Sequence, residues 1–443
     1  MDHQRHLEEP HRYARREFLK RAAAAGIALP SLSAILAACG GGAQTQVGGG
    51  SNASGSSGAN PYGTGGIAGA PYPLARLDAP VTWNVDPADV TASGQQPESG
   101  ATLKVLRWPY YLDDGVVKAF EKQYHTTVQI TEFSDMDKGL AKINSGNGDF
   151  DIMFGMNVWA VGRSIAAGLL RPYNHDYLTN FTNNVWDLFQ SPFYDQGANY
   201  TVPYSVWSTG IFWRNDKLSI DPGSMANPYD VFFDNPPKGK TALLANAQDV
   251  LAMPMFHDGL TDVNVTDPAV ITKAKDDVAA IAQKAGGLSY DHVDYTDLPA
   301  GTTWLHQSWS GNASDAVVFL TNKSDADNLS YYWPGTDGHP ANVDNDTTVL
   351  LKSGKNPVLA HLLADWVFDA KQSLANFTNT TGYQMAVNSM TPESMVSSGI
   401  VPEHLSTVIV STEDFGKGSR ELELAPDVDA LWQSAFAELT AGV

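Results

Sequence analysis

The 443-residue sequence contains a single cysteine and few basic residues. One cysteine cannot form an internal disulfide, and it excludes a zinc site built from clustered cysteines. Only 28 Lys and Arg stand against 49 Asp and Glu, which gives a net charge of -21. Such a field repels phosphate backbones, so duplex DNA and RNA are not expected as partners. The acidity favours a cationic ligand, although an acidic surface also serves solubility alone.

Several motifs of catalysis and membrane insertion are also missing. The sequence contains neither Gly-Xaa-Gly-Xaa-Xaa-Gly nor a phosphate-loop motif, and neither Gly-Xaa-Ser-Xaa-Gly nor His-Glu-Xaa-Xaa-His. The histidines outside the N-terminal region are scattered, without the spacing of metal ligands. No later apolar run reaches the roughly 20 residues of a membrane-spanning helix. We therefore expect no catalysis, no cofactor and no metal.

The first 38 residues are predicted to be an export signal. Arg15 and Arg16 stand just before Phe-Leu-Lys, and the uncharged stretch 22–38 follows. A basic region before a short apolar region is typical of a secretory signal. The paired arginines resemble the twin-arginine signal, although Ala14 stands where that signal usually has Ser or Thr.

Cys39 follows the small residues at the end of this signal. The run Leu-Ala-Ala-Cys resembles the bacterial lipoprotein box, in which the cysteine becomes the lipidated first residue of the processed chain. We expect lipid on Cys39 to anchor the protein at the outer face of the cytoplasmic membrane, in the periplasmic space. The alternative is an ordinary buried cysteine. The Gly- and Ser-rich residues 39–60 predict a flexible tether, and residues 61–100 are predicted to extend along the surface of the body.

From residue 101 onward, the sequence alternates between strand-like and helix-like patterns. Residues 103–106 and 127–131 have strand character, and Val116, Phe120 and Tyr124 between them share one helix face. This order predicts right-handed βαβ units and an α/β fold. A further strand is predicted at 151–154, and further helices are predicted at 140–143, from Asp267-Pro268 onward, at 359–367 and at 428–439.

Short segments in a fixed order then indicate a family. They are LRWPYY at 106–111, GDFDIM at 148–153, YTVPYSVWSTGI at 200–211, KG at 238–239, ANAQDV at 245–250, QSWSG at 307–311, DTTVL at 346–350 and GY at 382–383. In this order and spacing they resemble the spermidine/putrescine-type, polyamine-binding proteins of bacterial ABC importers. The resemblance runs from about residue 103 to the C-terminus.

The resemblance implies an α/β, two-lobed periplasmic-binding-protein fold of type II, with the ligand in the cleft between the lobes. One lobe would comprise residues 101–208 and 345–388, and the other 209–344 and 389–443. The implied function is capture of a polyamine-like cation and its delivery to an ABC permease by a monomeric binding protein that is not an enzyme.

Carrying the family's ligand positions across marks four aromatic residues as walls of the site: Trp108, Tyr111, Trp309 and Tyr383. Aromatic faces bury methylene groups and attract cations, as a polyamine requires. The alternative for each is packing in the core, where aromatic residues are common.

The same resemblance marks Asp249 and Asp346 as carboxylates for amines, and Asn246 where the family often has a second acid. The alternatives are an acid at a helix N-terminus for Asp249 and a solvated loop charge for Asp346. Glu421 and Glu423, near the end of the chain, are also candidates for the cleft.

Three departures from the family pattern leave the ligand open. Asn246 can hydrogen-bond an amine but does not neutralise it. Val158 or Trp159 stands in place of a family tyrosine, and Asp344 stands where an aromatic residue is common. Spermidine, putrescine, another cationic amine or another small solute therefore remain possible ligands. A secreted enzyme is a further alternative, because twin-arginine export often carries folded cofactor proteins.

Overall fold

The computed structural model describes residues 60–442, apart from 146–148 and 321–322. The described residues belong to one compact unit. The predicted signal at 1–38, the lipidation site Cys39 and all of the predicted tether except Asn60 lie outside the described residues.

The described residues form thirteen strands and thirteen α-helices. The strands are β1 Gly63–Gly65, β2 Val81–Trp83, β3 Thr102–Arg107, β4 Thr127–Glu132, β5 Ile152–Asn157, β6 Leu170–Arg171, β7 Val202–Arg214, β8 Thr241–Leu244, β9 Ser289–Asp291, β10 Leu305–Trp309, β11 Leu329–Tyr332, β12 Val343–Leu351 and β13 Gln384–Met385. The helices are α1 Asp114–Tyr124, α2 Met136–Asn144, α3 Val158–Ala166, α4 Thr179–Asn184, α5 Asp230–Phe233, α6 Ala247–His257, α7 Pro268–Ala285, α8 Asp294–Ala300, α9 Ser310–Phe319, α10 Pro357–Trp366, α11 Ala370–Asn376, α12 Pro392–Ser397 and α13 Pro426–Thr440.

Eleven of these strands make one mixed sheet with the order β4-β3-β5-β12-β7-β10-β8-β9. β6 joins β12 at its side, and β11 and β13 join β7. β3 is parallel to both β4 and β5, and β8 is parallel to both β9 and β10. Two parallel groups are therefore joined through the antiparallel pair β7 and β12. The predicted α/β class and the first βαβ unit, β3-α1-β4, are confirmed.

The helices predicted from apolar spacing are present, and α7 begins at the predicted Asp267-Pro268. Asp113 caps α1 by accepting the backbone N–H groups of Gly115 and Val116, and Val116 and Phe120 are buried. Asp267 caps α7 in the same way, with Pro268 at its first position. The predicted periodicities at 140–143, 359–367 and 428–439 correspond to α2, α10 and α13.

β7 is the longest strand and is buried along almost all of its thirteen residues. Up to Ser208 it pairs with β12, and from Thr209 it pairs with β10. The two halves of this strand therefore belong to different parts of the sheet. Residues close to the change of partner are placed at the centre of the molecule, where both parallel groups meet.

Residues 61–100 are more ordered than a segment extended along a surface. β1 and β2 pair as a small antiparallel sheet, and the side chains of Leu74, Val81 and Trp83 are buried. The Trp83 indole donates to the carbonyl of Tyr194 at 2.8 Å. Apolar burial of this kind fixes the segment to the body, because each large side chain contributes about 1.5–3 kcal/mol.

Separate apolar clusters lie on the two sides of β7. One cluster packs β3 and β5 against α1, α10 and the segment 173–189. Another packs α5, α6, α7 and α13 around Ile211 and Trp213 of β7. Within the described residues, no helix is both long enough and apolar enough to cross a membrane.

Candidate functional site

The loop after β3 carries two of the predicted aromatic residues, Trp108 and Tyr111, which both lie against Gly155 in β5. A Cβ atom on Gly155 would come within 2.3 Å of Trp108 and 2.8 Å of Tyr111, and the φ of Gly155 is +89°. Only glycine meets both requirements. The Trp108 indole donates to the Gly155 carbonyl at 2.7 Å. The structure thus brings the two rings together, with Tyr111 buried and Trp108 half-buried.

Tyr111 leads directly to the first predicted acid. Its hydroxyl donates to the Asp346 carboxylate at 2.5 Å. Asn157, which faces Asp346 across β5 and β12, donates its amide to the other carboxylate oxygen at 2.7 Å. The Trp207 indole of β7 lies close to this carboxylate and favours its ionised form, and the Ser205 hydroxyl donates to it at 3.4 Å.

Asp346 has no cationic partner within the part of the chain that the structure describes. Its side chain is buried, with 2% of the residue exposed. Burial therefore raises the pKa of Asp346 to about 6, although its hydrogen bonds favour the ionised form. The carboxylate is oriented by neutral donors while its charge remains unbalanced.

Two indole rings connect Asp346 to the second predicted acid, Asp249. The ring of Trp207 lies 5.9 Å from that of Trp309, measured between centroids. The Trp309 indole donates to Asp249 Oδ2 at 2.9 Å. Thr209, which faces Trp309 across β7 and β10, donates its hydroxyl to Asp249 Oδ1 at 2.7 Å. The predicted residues Trp309 and Asp249 are therefore in direct contact.

Asn246 is the N-cap of α6. Its amide oxygen accepts the backbone N–H groups of Gln248 at 2.8 Å and Asp249 at 3.3 Å. The oxygen that was predicted to face a ligand amine is thus engaged with the helix end. The cap also fixes Asp249, which is fully buried in the first turn of α6.

The acid beside Asp249 is Glu421, which comes from the far end of the chain. The side chains of Asp249 and Glu421 are in contact. Thr209 and Asn342 link them, because the Thr209 hydroxyl donates to Asp249 and its backbone N–H donates to the Asn342 carbonyl at 3.1 Å. The Asn342 amide donates to Glu421 Oε1 at 3.3 Å. Burial and the neighbouring Asp249 charge raise the pKa of Glu421 well above its usual range, because two buried carboxyl groups in contact disfavour two negative charges.

Asp344, two residues before Asp346, has a very different environment. Arg420 donates to Asp344 Oδ1 through Nε at 3.0 Å and through a terminal nitrogen at 2.6 Å. Both side chains are almost fully buried. The backbone N–H of Glu421 donates to the other oxygen at 2.8 Å. Asp344 therefore balances the buried Arg420 instead of presenting an aromatic surface.

Tyr383 lies between the acids. Its ring centroid is 5.4 Å from that of Tyr111, and its hydroxyl donates to Asn312 Oδ1 at 2.9 Å. Burial raises the pKa of Tyr383 well above its usual range, and the nearby charges of Asp346 and Asp249 act in the same direction. Tyr383 therefore joins the same group of residues as the two predicted acids.

Two histidines, His292 and His306, and two acids, Asp291 and Asp294, lie near Trp309. The His292 ring stacks on Trp309 with 4.8 Å between centroids, and burial lowers the pKa of His292 to about 4. Burial opposes protonation of His306, but contact with Asp291 and the charge of Asp294 raise its pKa overall. No group of His, Cys, Asp and Glu among the described residues is arranged to hold a metal ion.

The structure thus brings Trp108, Tyr111, Asp249, Trp309, Asp346 and Tyr383 into one neighbourhood, with Asn246 at its edge. Sequence reasoning did not select several side chains that contact the acids, which are Asn157, Trp207, Thr209 and Asn342, nor Asn312, which accepts the Tyr383 hydroxyl. Trp207 and Thr209 lie inside the quoted segment 200–211. Their position in a segment that resembles the family is the signal in the sequence that could have identified them.

Residues 115–399, more than half of the chain, match the family of bacterial extracellular solute-binding proteins. The chain belongs to this family. Its solved relatives have the type II periplasmic-binding-protein fold, which is also the fold of this chain.

Individual relatives are more specific. The chain is 24% identical over 299 residues to a putrescine/cadaverine-binding protein of Pseudomonas aeruginosa, covering 67% of this chain and 82% of the relative. It is 23% identical over 301 residues to a putrescine/agmatine-binding protein of the same organism, covering 66% and 80%. A spermidine/putrescine ABC transporter substrate-binding protein from Streptococcus pneumoniae has a TM-score of 0.62 and 17% identity, covering 77% of this chain and 99% of its own.

Proposed function

We propose that this protein captures a diamine or polyamine cation outside the cytoplasm and delivers it to an ABC permease. The observation that carries the proposal is a set of buried carboxyl groups among aromatic rings, Asp346 and the pair Asp249 and Glu421, which have no cationic partner among the described residues. An unpaired buried charge is costly, so a site of this kind gains most from a ligand that supplies the missing cation.

The combination of carboxylates and aromatic rings also suits such a ligand. Ammonium groups would bind the carboxylates, and the methylene chain between them would lie against Tyr111, Trp207, Trp309 and Tyr383. Each aromatic face contributes about 0.5–2 kcal/mol towards a cation. The proposal also agrees with the names of the two Pseudomonas aeruginosa relatives.

We further propose that the protein closes around its ligand by a hinge motion of two lobes. Residues 101–208 and 345–388 would form one lobe, and residues 209–344 and 389–443 the other. The change of partner of β7 between Ser208 and Thr209 supports this division. Small-angle X-ray scattering should show a smaller radius of gyration in the presence of ligand, and an unchanged radius would contradict the hinge motion.

Membership of an extracellular family supports export, and we propose that the twin-arginine signal and a lipid on Cys39 deliver the protein to the outer face of the membrane. Metabolic labelling with a fatty acid should mark the wild-type chain and not the Cys39→Ala variant. Labelling of both chains would contradict this anchor.

Thermal unfolding of the full-length chain with a panel of solutes tests the ligand class. Putrescine, cadaverine and spermidine should raise the melting temperature, because a ligand that binds only the native state stabilises it by mass action. Amino acids, sugars and nucleotides serve as the other solute classes. A shift with one of these and none with any amine would overturn the proposal.

A further inference from the structure

The acid expected at position 246 has a counterpart elsewhere in the site. Asn246 is engaged as a helix cap, so this position supplies no charge. Glu421 lies beyond the family match, which ends at residue 399, yet its carboxyl group contacts Asp249. A carboxyl group from the C-terminal segment therefore lies next to Asp249, in place of one at position 246.

The position of Glu421 is firmly fixed by its chain neighbours. Asn264 accepts the Leu422 N–H at 2.9 Å and donates to the Arg420 carbonyl at 2.8 Å. The Glu421 N–H is held by Asp344. Contacts on both sides of Glu421 thus hold the backbone, the Asn342 amide holds the carboxyl group, and only 4% of the residue is exposed.

Two buried carboxyl groups in contact must hold a proton between them, because an ionised carboxylate is only an acceptor. The nearest cation does not relieve this requirement, since Arg420 is bound to Asp344 and to the Asn345 amide oxygen. The other titratable groups that act on the pair are acidic or phenolic: Asp344 and Asp346 on β12, Tyr331 on β11, and Tyr383. They favour retention of the proton in the ligand-free protein.

We propose that Glu421 and Asp249 form one ammonium-binding subsite, and that the proton they share leaves to solvent when the ammonium group enters. This inference rests on the proposed function. The charges balance: the ligand-free pair carries one proton and one negative charge, and the occupied pair carries two negative charges against the ammonium. Asp346, with Tyr111 and Asn157, would bind the second ammonium without a partner acid. Glu421 thereby supplies the second carboxylate at this end of the site.

Isothermal titration calorimetry of the full-length chain with putrescine at pH 7.5 tests the proposal. Titration in buffers of different ionisation enthalpy gives the number of protons released per ligand. The amines of putrescine remain protonated, since alkyl ammonium groups such as Lys have a pKa of about 10.4. We expect release of about one proton by the wild type, and an affinity that rises about tenfold per pH unit near this pH.

Two variants make the result specific. Glu421→Gln has nearly the shape of the protonated acid, so it should fold, and we expect it to release almost no proton. Glu423→Gln is the matched control two residues away, where the acid already has the cationic partner Arg163. We expect it to release as many protons as the wild type.

The outcomes separate the two proposals. Binding of putrescine without proton release, or the same release by Glu421→Gln, would overturn the shared-proton subsite and leave the proposed function intact. A wild-type chain that binds no amine would overturn both. Release that Glu421→Gln abolishes and Glu423→Gln retains would support the subsite.

Discussion

Two pairs of buried acids in this protein differ in whether a cation accompanies them. Asp344 and Asp346 lie two residues apart on β12, but within the described part of the chain only Asp344 has an arginine partner. Glu421 and Glu423 repeat the arrangement on the C-terminal segment, where Arg163 donates to Glu423 at 2.9 Å. Burial alone therefore does not distinguish Asp346 and Glu421 from Asp344 and Glu423, whereas the arginine partner does.

An acid without an ion pair can also have a structural role, as Asp195 shows. This acid is fully buried and has no ion pair among the described residues, and burial raises its pKa to about 6. Its carboxylate accepts the backbone N–H groups of Tyr200 and Thr201 and the Thr201 hydroxyl. Asp195 thus organises a local loop, while Asp346 receives its donors from side chains on separate strands and from an aromatic wall.

The largest expected difference is in stability between the two acids of β12. Asp344→Asn leaves Arg420 buried without its carboxylate, and breaking such a pair costs about 3 kcal/mol. Asp346→Asn removes an unbalanced buried charge and keeps an acceptor for Tyr111, so at neutral pH its free energy of unfolding should rise by about 2 kcal/mol. Urea unfolding of the ligand-free variants measures both values. Equal losses would contradict the division into paired and unpaired acids.

Ligand affinity should show the opposite order. Asp346→Asn removes a carboxylate that we assign to an ammonium group, and loss of such a buried charge pair costs about 3 kcal/mol, or roughly 100-fold in affinity. Glu423→Gln, which alters an acid already paired with Arg163, should leave the affinity for putrescine within about twofold. Calorimetry provides both constants. An affinity of Asp346→Asn equal to that of the wild type would remove Asp346 from the site.

The pH dependence of stability should also identify Asp346. Its pKa is raised in the folded protein to about 6, so the native state holds this proton more tightly than the unfolded chain. The contribution to stability is therefore present below about pH 4 and is lost as the pH rises to about 6. Relative to Asp346→Asn, the wild type should lose about 2 kcal/mol across this range. Parallel profiles for the two chains would show that Asp346 is not the titrating group.

The smallest effect is expected at the paired acid of the C-terminal segment. Tyr72 donates its hydroxyl to Glu423 at 2.7 Å, next to Arg163. Tyr72→Phe removes this hydrogen bond and should lower the free energy of unfolding by about 1 kcal/mol. Putrescine affinity should be unchanged, because Arg163 still balances Glu423. A large loss of affinity would mean that this flank takes part in binding.

Much of the fold could be predicted from local patterns. The apolar spacing in α1, the Asp-Pro start of α7 and the alternation in β4 are short-range signals that tertiary structure did not override. Burial of Leu74, Val81 and Trp83 was not predictable in the same way, because a Pro- and Gly-rich segment gives no periodicity that reveals its partner.

The candidate site was predictable where it follows family positions and unpredictable where it depends on contacts distant in sequence. Asn246 stands directly before a helix, so its capping role was available from the sequence. The contact of Glu421 with Asp249 and the contact of Arg420 with Asp344 join separate parts of the chain, and no local pattern encodes which acid receives the arginine. The position of the arginine determines which buried acid is left without a cationic partner.

The most direct test of the unpaired acids compares putrescine with 1,4-butanediol, which has the same carbon chain and no charge. Calorimetric titration of the full-length chain should show binding of putrescine and none of the diol at the same concentrations. This result would mean that the buried acids at Asp346 and at Asp249–Glu421 select for positive charge. Equal binding of the two compounds, or binding of the diol alone, would contradict the account.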